Sequence, residues 1–317
     1  MADDRDKPEK TLKRFGKSLK RALRSTSPKR VHQLRTGSRR LEAAVHALTL
    51  EDKPRCRRML KSVARIRKKA GKVRDLDVLI RFTSQLAAPG HDESTSQLLD
   101  HIEAERRKSA RKLHKSISRR FRDTRRRLKR SRSLFQSNGK AVDRQQSKIA
   151  SAAAAISAEL ASWPRLTRAN LHRYRLRLKE LRYTLELIRD SDPGLIDSIG
   201  EVTDAIGTWH DWSELYATAS ALFEGRQALD LLRAIRSTVS AKLSDALVLA
   251  SAMQSNMRPA SAAPSTGQPH ADAGPPQLRL QLPRVRHAEV KDAGSKRGIG
   301  APAPEHLYEV PRRPRAA

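Results

Sequence analysis

The segment Val31-His-Gln-Leu-Arg-Thr-Gly-Ser-Arg-Arg-Leu41 has a counterpart 140 residues later, Leu171-His-Arg-Tyr-Arg-Leu-Arg-Leu-Lys-Glu-Leu181. Apolar residues in both step by 3 and 4: Val31, Leu34, Leu41, Val45 and Leu48, against Leu171, Tyr174, Leu178, Leu181, Leu185 and Ile188. That spacing keeps one face of a helix apolar and predicts an amphipathic helix in each place. One position further on, a second stripe keeps the same step: His32, Arg35 and Arg39, then His172, Arg175, Lys179 and Arg182. Residues i, i+3 and i+7 share a face, so each stripe leaves from one side, about 100° around from the apolar seam. A core face with a basic face beside it is written twice.

A weaker correspondence follows each copy, Gly71-Lys-Val-Arg-Asp75 and Gly207-Thr-Trp-His-Asp211. The gap from His32 to Asp75 is 43 residues and from His172 to Asp211 it is 39, so the chain reads as two related halves. Helical periodicity continues almost everywhere outside these motifs, and no run alternates as a strand does. Breaks fall at Ser25-Thr-Ser-Pro28, Glu51-Asp-Lys-Pro54, Ala88-Pro-Gly90, Ser137-Asn-Gly139, Ser162-Trp-Pro164, Ser191-Asp-Pro-Gly194 and around Gly225. The expected fold is all-α, as two pseudo-symmetric helical bundles. Residues 1–10 read as a flank, 11–251 as the helical domain with halves of about 11–140 and 141–251, and 252–317 as a disordered basic tail. The tail holds ten of the 16 prolines and too little apolar surface to offset the entropy of ordering it.

The 317 residues carry 66 Lys/Arg against 34 Asp/Glu, a formal charge of +32. Residues 1–140 hold 42 Lys/Arg and 15 Asp/Glu, whereas 141–251 hold 14 of each. Solubility does not require a field confined to one half, and such a field points to a polyanionic partner. The single cysteine, Cys56, excludes a disulfide scaffold and fits a reducing compartment. No apolar run approaches the roughly 18 residues of a membrane span. The hydrophilic opening Met1-Ala-Asp-Asp-Arg-Asp is expected not to be a secretory or transit peptide. A cytoplasmic location with no membrane partner is the expectation.

The motifs His32-x-x-Arg35-x-x-x-Arg39-Arg40, Val73-Arg-Asp-Leu-Asp-Val78 and His172-x-x-Arg175-x-x-x-Lys179-x-x-Arg182-Tyr183 resemble the CHAD family, the conserved histidine α-helical domain. The resemblance covers about residues 5–251 and keeps motif order and the half-to-half repeat. It implies two four-helix bundles around a basic groove or pore that binds inorganic polyphosphate. It also implies no enzymatic activity of its own, and association with polyphosphate granules. Some members are fused to a CYTH triphosphatase domain, and this chain looks like a stand-alone member. It departs from a strict repeat at Glu42, which stands where the second copy has Arg182.

Further cationic stripes extend the expected groove. They are Lys13, Lys17, Lys20 and Arg24; Lys61, Arg65, Lys68 and Lys72; and Lys108, Arg111, Lys115, Arg119, Arg122 and Arg126. The last lie in a segment, Arg106 to Arg132, with 15 Lys/Arg among 27 residues and a single acid, Asp123. A lone stripe of this kind is usually a solvated face. Several with few acids repel one another, and a polyanion between them relieves that repulsion and releases counterions. His32 and His172, flanked by cations, are expected to protonate on binding phosphate, tightening it at mildly acidic pH. Asp75, Asp77 and Asp211 are expected to orient Arg on the neighbouring repeat helix. Trp209 and Trp212 are expected in the core, and the cations around Cys56 favour a lowered thiol pKa.

No Gly-rich phosphate loop, nucleophile elbow, paired-cysteine zinc spacing or clustered carboxylate set is present, so no enzyme activity, metal or cofactor is expected. The alternative partner is nucleic acid, which any basic helical protein binds weakly at low salt, and the less favoured alternative is a polyphosphate-metabolising enzyme or its accessory subunit. Base stacking recruits aromatic platforms, and the segment Arg106 to Arg132 holds only Phe121. A polymer without bases needs only charge and forked donors. The oligomeric state and chain-length preference stay open at this stage.

Overall fold

The computed structural model describes residues 7–86, 93–136, 140–223 and 228–258. Among them are eight α-helices and no strand: α1 Lys7–Arg24, α2 Pro28–Ala47, α3 Pro54–Leu86, α4 Glu93–Ser131, α5 Lys140–Ala161, α6 Leu171–Leu185, α7 Pro193–Leu222 and α8 Leu229–Met257. A 3-10 turn, Arg132–Phe135, follows α4. α2, α3 and α7 each open on proline, whose missing N–H costs nothing in a first turn. Asp192 caps α7, its carboxylate accepting from Gly194 N at 2.8 Å. The breaks at 88–90, 137–139 and 225 fall outside the described residues; the other four separate helices as expected.

Each half closes into a ring. α1 packs on α2, α2 on α3, α3 on α4 and α4 on α1, and α5 to α8 repeat that order of neighbours. Phe15, Leu34, Leu41, Met59, Ile66 and Leu113 fill the first core, and Leu160, Tyr174, Leu178, Ile199, Ile206 and Ala250 the second. A third core joins the halves, with Phe82 of α3 stacked on Trp212 of α7 at 4.6 Å between ring centroids. Trp209 and Trp212 are therefore core residues, as expected.

The repeat helices α2 and α6 pack on each other and bring the halves together. Two ion pairs tie this contact: Arg40 donates to both Glu186 oxygens at 2.7 and 3.0 Å, and His46 Nδ1 lies 3.6 Å from Glu180. Adding 140 to residue 40 and subtracting it from 186 turns the first pair into the second. The 140-residue offset read from sequence therefore relates the two pairs.

Two boundaries shift. α1 begins at Lys7 and buries Pro8 and Glu9, so the flank assigned to 1–10 ends earlier. α8 runs on to Met257 and buries Met253, Gln254 and Met257, so the domain extends past 251. Gln254 donates to Trp163 O, which holds that last turn in place. The remainder of the expected tail, 259–317, lies outside the described residues. Cys56 is fully buried beside Ser131, and burial pushes its thiol pKa up; the expected lowering by neighbouring cations does not occur.

Candidate functional site

Between the halves lies a cavity of about 1410 Å³. α1 supplies Arg14, Lys17 and Arg21; α2 supplies His32, Arg35, Arg39, Arg40, Glu42 and His46; α3 supplies Arg74, Asp75 and Arg81. From the second half, α6 supplies His172, Arg173, Arg175, Arg177, Lys179, Glu180, Arg182 and Tyr183, and α7 supplies Asp204, His210 and Asp211. Thirteen Lys/Arg and four His face this space against five Asp/Glu. Among the described residues no group of three His, Cys, Asp or Glu is placed to hold a metal ion.

The two weak glycine motifs explain how the arginines are seated. Arg35 lies over Gly71, its Nε 3.7 Å from where a Cβ would stand, and reaches Asp75 at 3.9 Å. Arg175 lies still closer over Gly207, where a Cβ would come 2.8 Å from its Cζ. Its Nε donates to Thr203 O at 2.9 Å, and Asp211 supports its charge. Glycine and aspartate four residues apart share a helix face, so one makes room for the guanidinium and the other balances it. Arg182 rests over Gly200 in the same way. At the matching place in the first half, Glu42 binds Arg67 and lies 3.4 Å from Arg39.

The position before each aspartate also matches: Arg74 in one half, His210 in the other. Arg74 lines the same cavity as His32 and its charge acts on it, and His210 lies against His172 with ring centroids 4.6 Å apart and the rings tilted by 34°. Partial desolvation, with Arg74, Arg35 and Lys179, holds the His32 pKa below its ordinary value. Desolvation, His210 and Arg175 do the same to His172, whose buried Nδ1 has no hydrogen-bond partner. Burial, reinforced by Arg175 and Arg35, pushes Lys179 down to about 7. Burial also lowers Arg39, Arg74 and Arg175. These groups crowd like charges into a partly dry space, an arrangement that an anion stabilises.

The expected site residues divide. His32, Arg35, Arg39, Arg40, His172, Arg175, Lys179, Arg182, Lys17, Asp75 and Asp211 line the cavity. Within that group Arg40 has its fork occupied by Glu186 and acts first as a latch. Lys13 is not in the cavity: it pairs at 2.9 Å with buried Glu9, which Arg132 also binds. Lys20 is exposed outside it. On α1 the cavity-facing stripe is Arg14, Lys17 and Arg21, one register away from Lys13, Lys17 and Lys20.

Lys61, Arg65, Lys68 and Lys72 on α3, and Lys108, Arg111, Lys115, Arg119 and Arg122 on α4, are exposed and line none of the cavity. They project from the side of each helix opposite its buried seam, represented by Ile66 and Val73 on α3 and by Leu113 and Ile117 on α4. Asp77 orients an arginine, but that arginine is Arg106 of α4, which donates to it at 2.8 Å, and not one of a repeat helix. Sequence reasoning missed Arg14, Arg21, Arg74, Arg81, His46, Arg173, Arg177 and His210. Arg74 and His210 had a signal, since both stand beside the aspartate of the repeated Gly–Asp motif.

Residues 9–220 match the family model described as CHAD domain. The fold is similar to the crystal structure of the CHAD domain from the plant Ricinus communis, with a TM-score of 0.58 and 17% identity over 77% of this chain and 87% of that one. It is also similar to PptA from Streptomyces chartreusis, with a TM-score of 0.55 and 16% identity over 79% and 96% of the two chains. No curated protein matches the chain in sequence. The family match spans most of the chain and contains both repeat helices and both Gly–Asp motifs, so this chain belongs to the CHAD domain family.

Proposed function

We propose that the protein binds inorganic polyphosphate in the cavity between its halves and performs no chemistry on it. One observation carries the reading: both copies of the His–Arg–cation stripe, with the Gly–Asp seats beneath their arginines, open into one space. Guanidinium forks match phosphate oxygens and stay charged at any working pH. The cavity's aromatics are sparse: Trp163, in edge contact with buried Tyr174, and Tyr183, which carries Arg40 over its ring, are the Trp and Tyr side chains that line it. That favours a baseless polymer over RNA.

Non-enzymatic binding is supported by how the cavity's carboxylates are used. Four of its five are paired: Glu42 serves Arg67 and Arg39, Glu180 serves His46 and Arg177, Asp75 faces Arg35, and Asp211 faces Arg175 and His210, while exposed Asp204 bears on Lys179 and Arg175 through its charge. Carboxylates occupied in this way suit positioning of cations better than holding metal ions for hydrolysis. Recruitment to polyphosphate granules follows as the cellular expectation.

Competition at about 0.15 M salt tests the reading. Long-chain polyphosphate is expected to displace RNA at equal phosphate concentration, with no phosphate released on incubation. RNA displacing polyphosphate would favour the nucleic-acid alternative. Turnover lost in Asp75→Asn or Asp211→Asn would make the protein an enzyme.

A further inference from the structure

A polymer longer than the cavity must leave it somewhere, and the molecule has a basic path out. At the corner where α1 ends and α2 begins lies a second, smaller cavity of about 320 Å³, lined by Arg21, Arg24, Lys29, Arg30 and Gln33. Arg21 and Gln33 line both this space and the main cavity, so the two adjoin there. No carboxylate lines it, in contrast to the five acids of the main cavity. Lys29 and Arg30 stand in the first turn of α2, which has no acid, so their charge opposes the positive end of that helix. Four cations placed together without a compensating anion are a costly arrangement for a free surface, and an incoming phosphate removes that cost.

We infer that this corner is an exit subsite for polyphosphate: a chain filling the main cavity continues past Arg21 and Gln33 and lays its next phosphates on Arg24, Lys29 and Arg30. The inference rests on the polyphosphate reading above and adds a chain-length preference to it. A short oligomer fits within the main cavity and gains nothing from the corner. A long one adds contacts there and binds more tightly in proportion. Arg106 donates to Thr26 O at 3.0 Å and is itself held by Asp77, which fixes the α1–α2 turn and the shape of the exit.

The test is calorimetric titration of the full chain and of an Arg24→Gln/Lys29→Gln/Arg30→Gln variant with tripolyphosphate and with long-chain polyphosphate. Because Arg30 is half-buried, Arg24→Gln/Lys29→Gln, both exposed, is titrated beside it, with thermal melting as the check on folding. The expected result is about a tenfold loss for the long chain in the triple variant, with unchanged affinity for tripolyphosphate. The slope of log K against log salt for the long chain flattens by up to about three units, one per removed cation. The double variant is expected to show a smaller loss of the same kind. Equal losses for both ligands, or no loss for either, would overturn the exit subsite while leaving the main cavity standing. Failure of the unmodified protein to bind either ligand would overturn the polyphosphate reading and the exit with it.

Discussion

Lys179 gives the site its clearest pH signature. In the free protein it loses its proton near pH 7, because burial, Arg175 and Arg35 oppose its charge. A phosphate beside it favours the ammonium, so binding above that pH draws in a proton and affinity falls as pH rises. Measured at fixed salt between about pH 7 and 9, the decline approaches at most tenfold per unit. Lys179→Arg, which never loses its charge, should flatten the decline; a flat profile in the unmodified protein would remove Lys179 from the site. His32 and His172, both lowered, add a further fall on the acid side of their ordinary value as pH rises. The same shift acts on folding. The unfolded lysine keeps its proton up to about 10.4, the folded one gives it up near 7, so stability increases with pH across that window. Lys179→Met is therefore expected to raise stability below pH 7 by about 0.5–2 kcal/mol, read by denaturant unfolding, while weakening binding. Gly207→Ala separates packing from charge. Alanine improves helix propensity by up to about 1 kcal/mol, yet its Cβ collides with Arg175. The melting temperature should hold while polyphosphate affinity drops about tenfold, and Gly71→Ala, with 3.7 Å of clearance, should change little.

At the scale of the helix, the packing of α2 on α6 trades stability against binding. Glu186 occupies the Arg40 fork and lies 3.9 Å from Arg182. Glu186→Gln is expected to lower stability by about 1 kcal/mol or less, since Arg40 is partly exposed, and to strengthen polyphosphate binding by freeing two cations. Weaker binding in that variant would make the pair a support for the site instead. Capping is a simpler case: Asp192→Ala should cost about 1 kcal/mol through loss of its bond to Gly194 N. The same scale explains what was legible in sequence. Helices, their breaks and the two repeat stripes follow from local periodicity; the helices, the stripes and the four breaks within the described residues reappear in place. The register of the α1 stripe did not, because Lys13, Lys17 and Lys20 step as regularly as Arg14, Lys17 and Arg21. Only the packing of α1 on α2 and α4 decides which stripe turns to the cavity, and that information lies far along the chain. The α3 and α4 stripes stand outside the cavity for the same reason: a solvated face and a cavity-lining face have one periodicity.

For the molecule as a whole, net charge points to a polyanionic partner but does not say which basic surface surrounds the cavity. The first half holds most of the excess cations, but those on the outer faces of α3 and α4 stand apart from the cavity. Within the cavity both halves contribute, eight Lys/Arg from the first and five from the second. The outer cations add a long-range field that steers polyanions inward and fades with salt. On the proposed function, specific binding belongs to the repeat helices, whose arginines are seated by glycine and aspartate from the facing helices α3 and α7. The most direct test compares long-chain polyphosphate binding by Arg35→Glu/Arg175→Glu with that by Arg119→Glu/Arg122→Glu at about 0.15 M salt. Each pair changes the net charge equally. The account predicts a loss of about a hundredfold or more for the cavity pair and only a few-fold for the outer pair. Equal losses would mean that the polymer reads total charge and not the cavity.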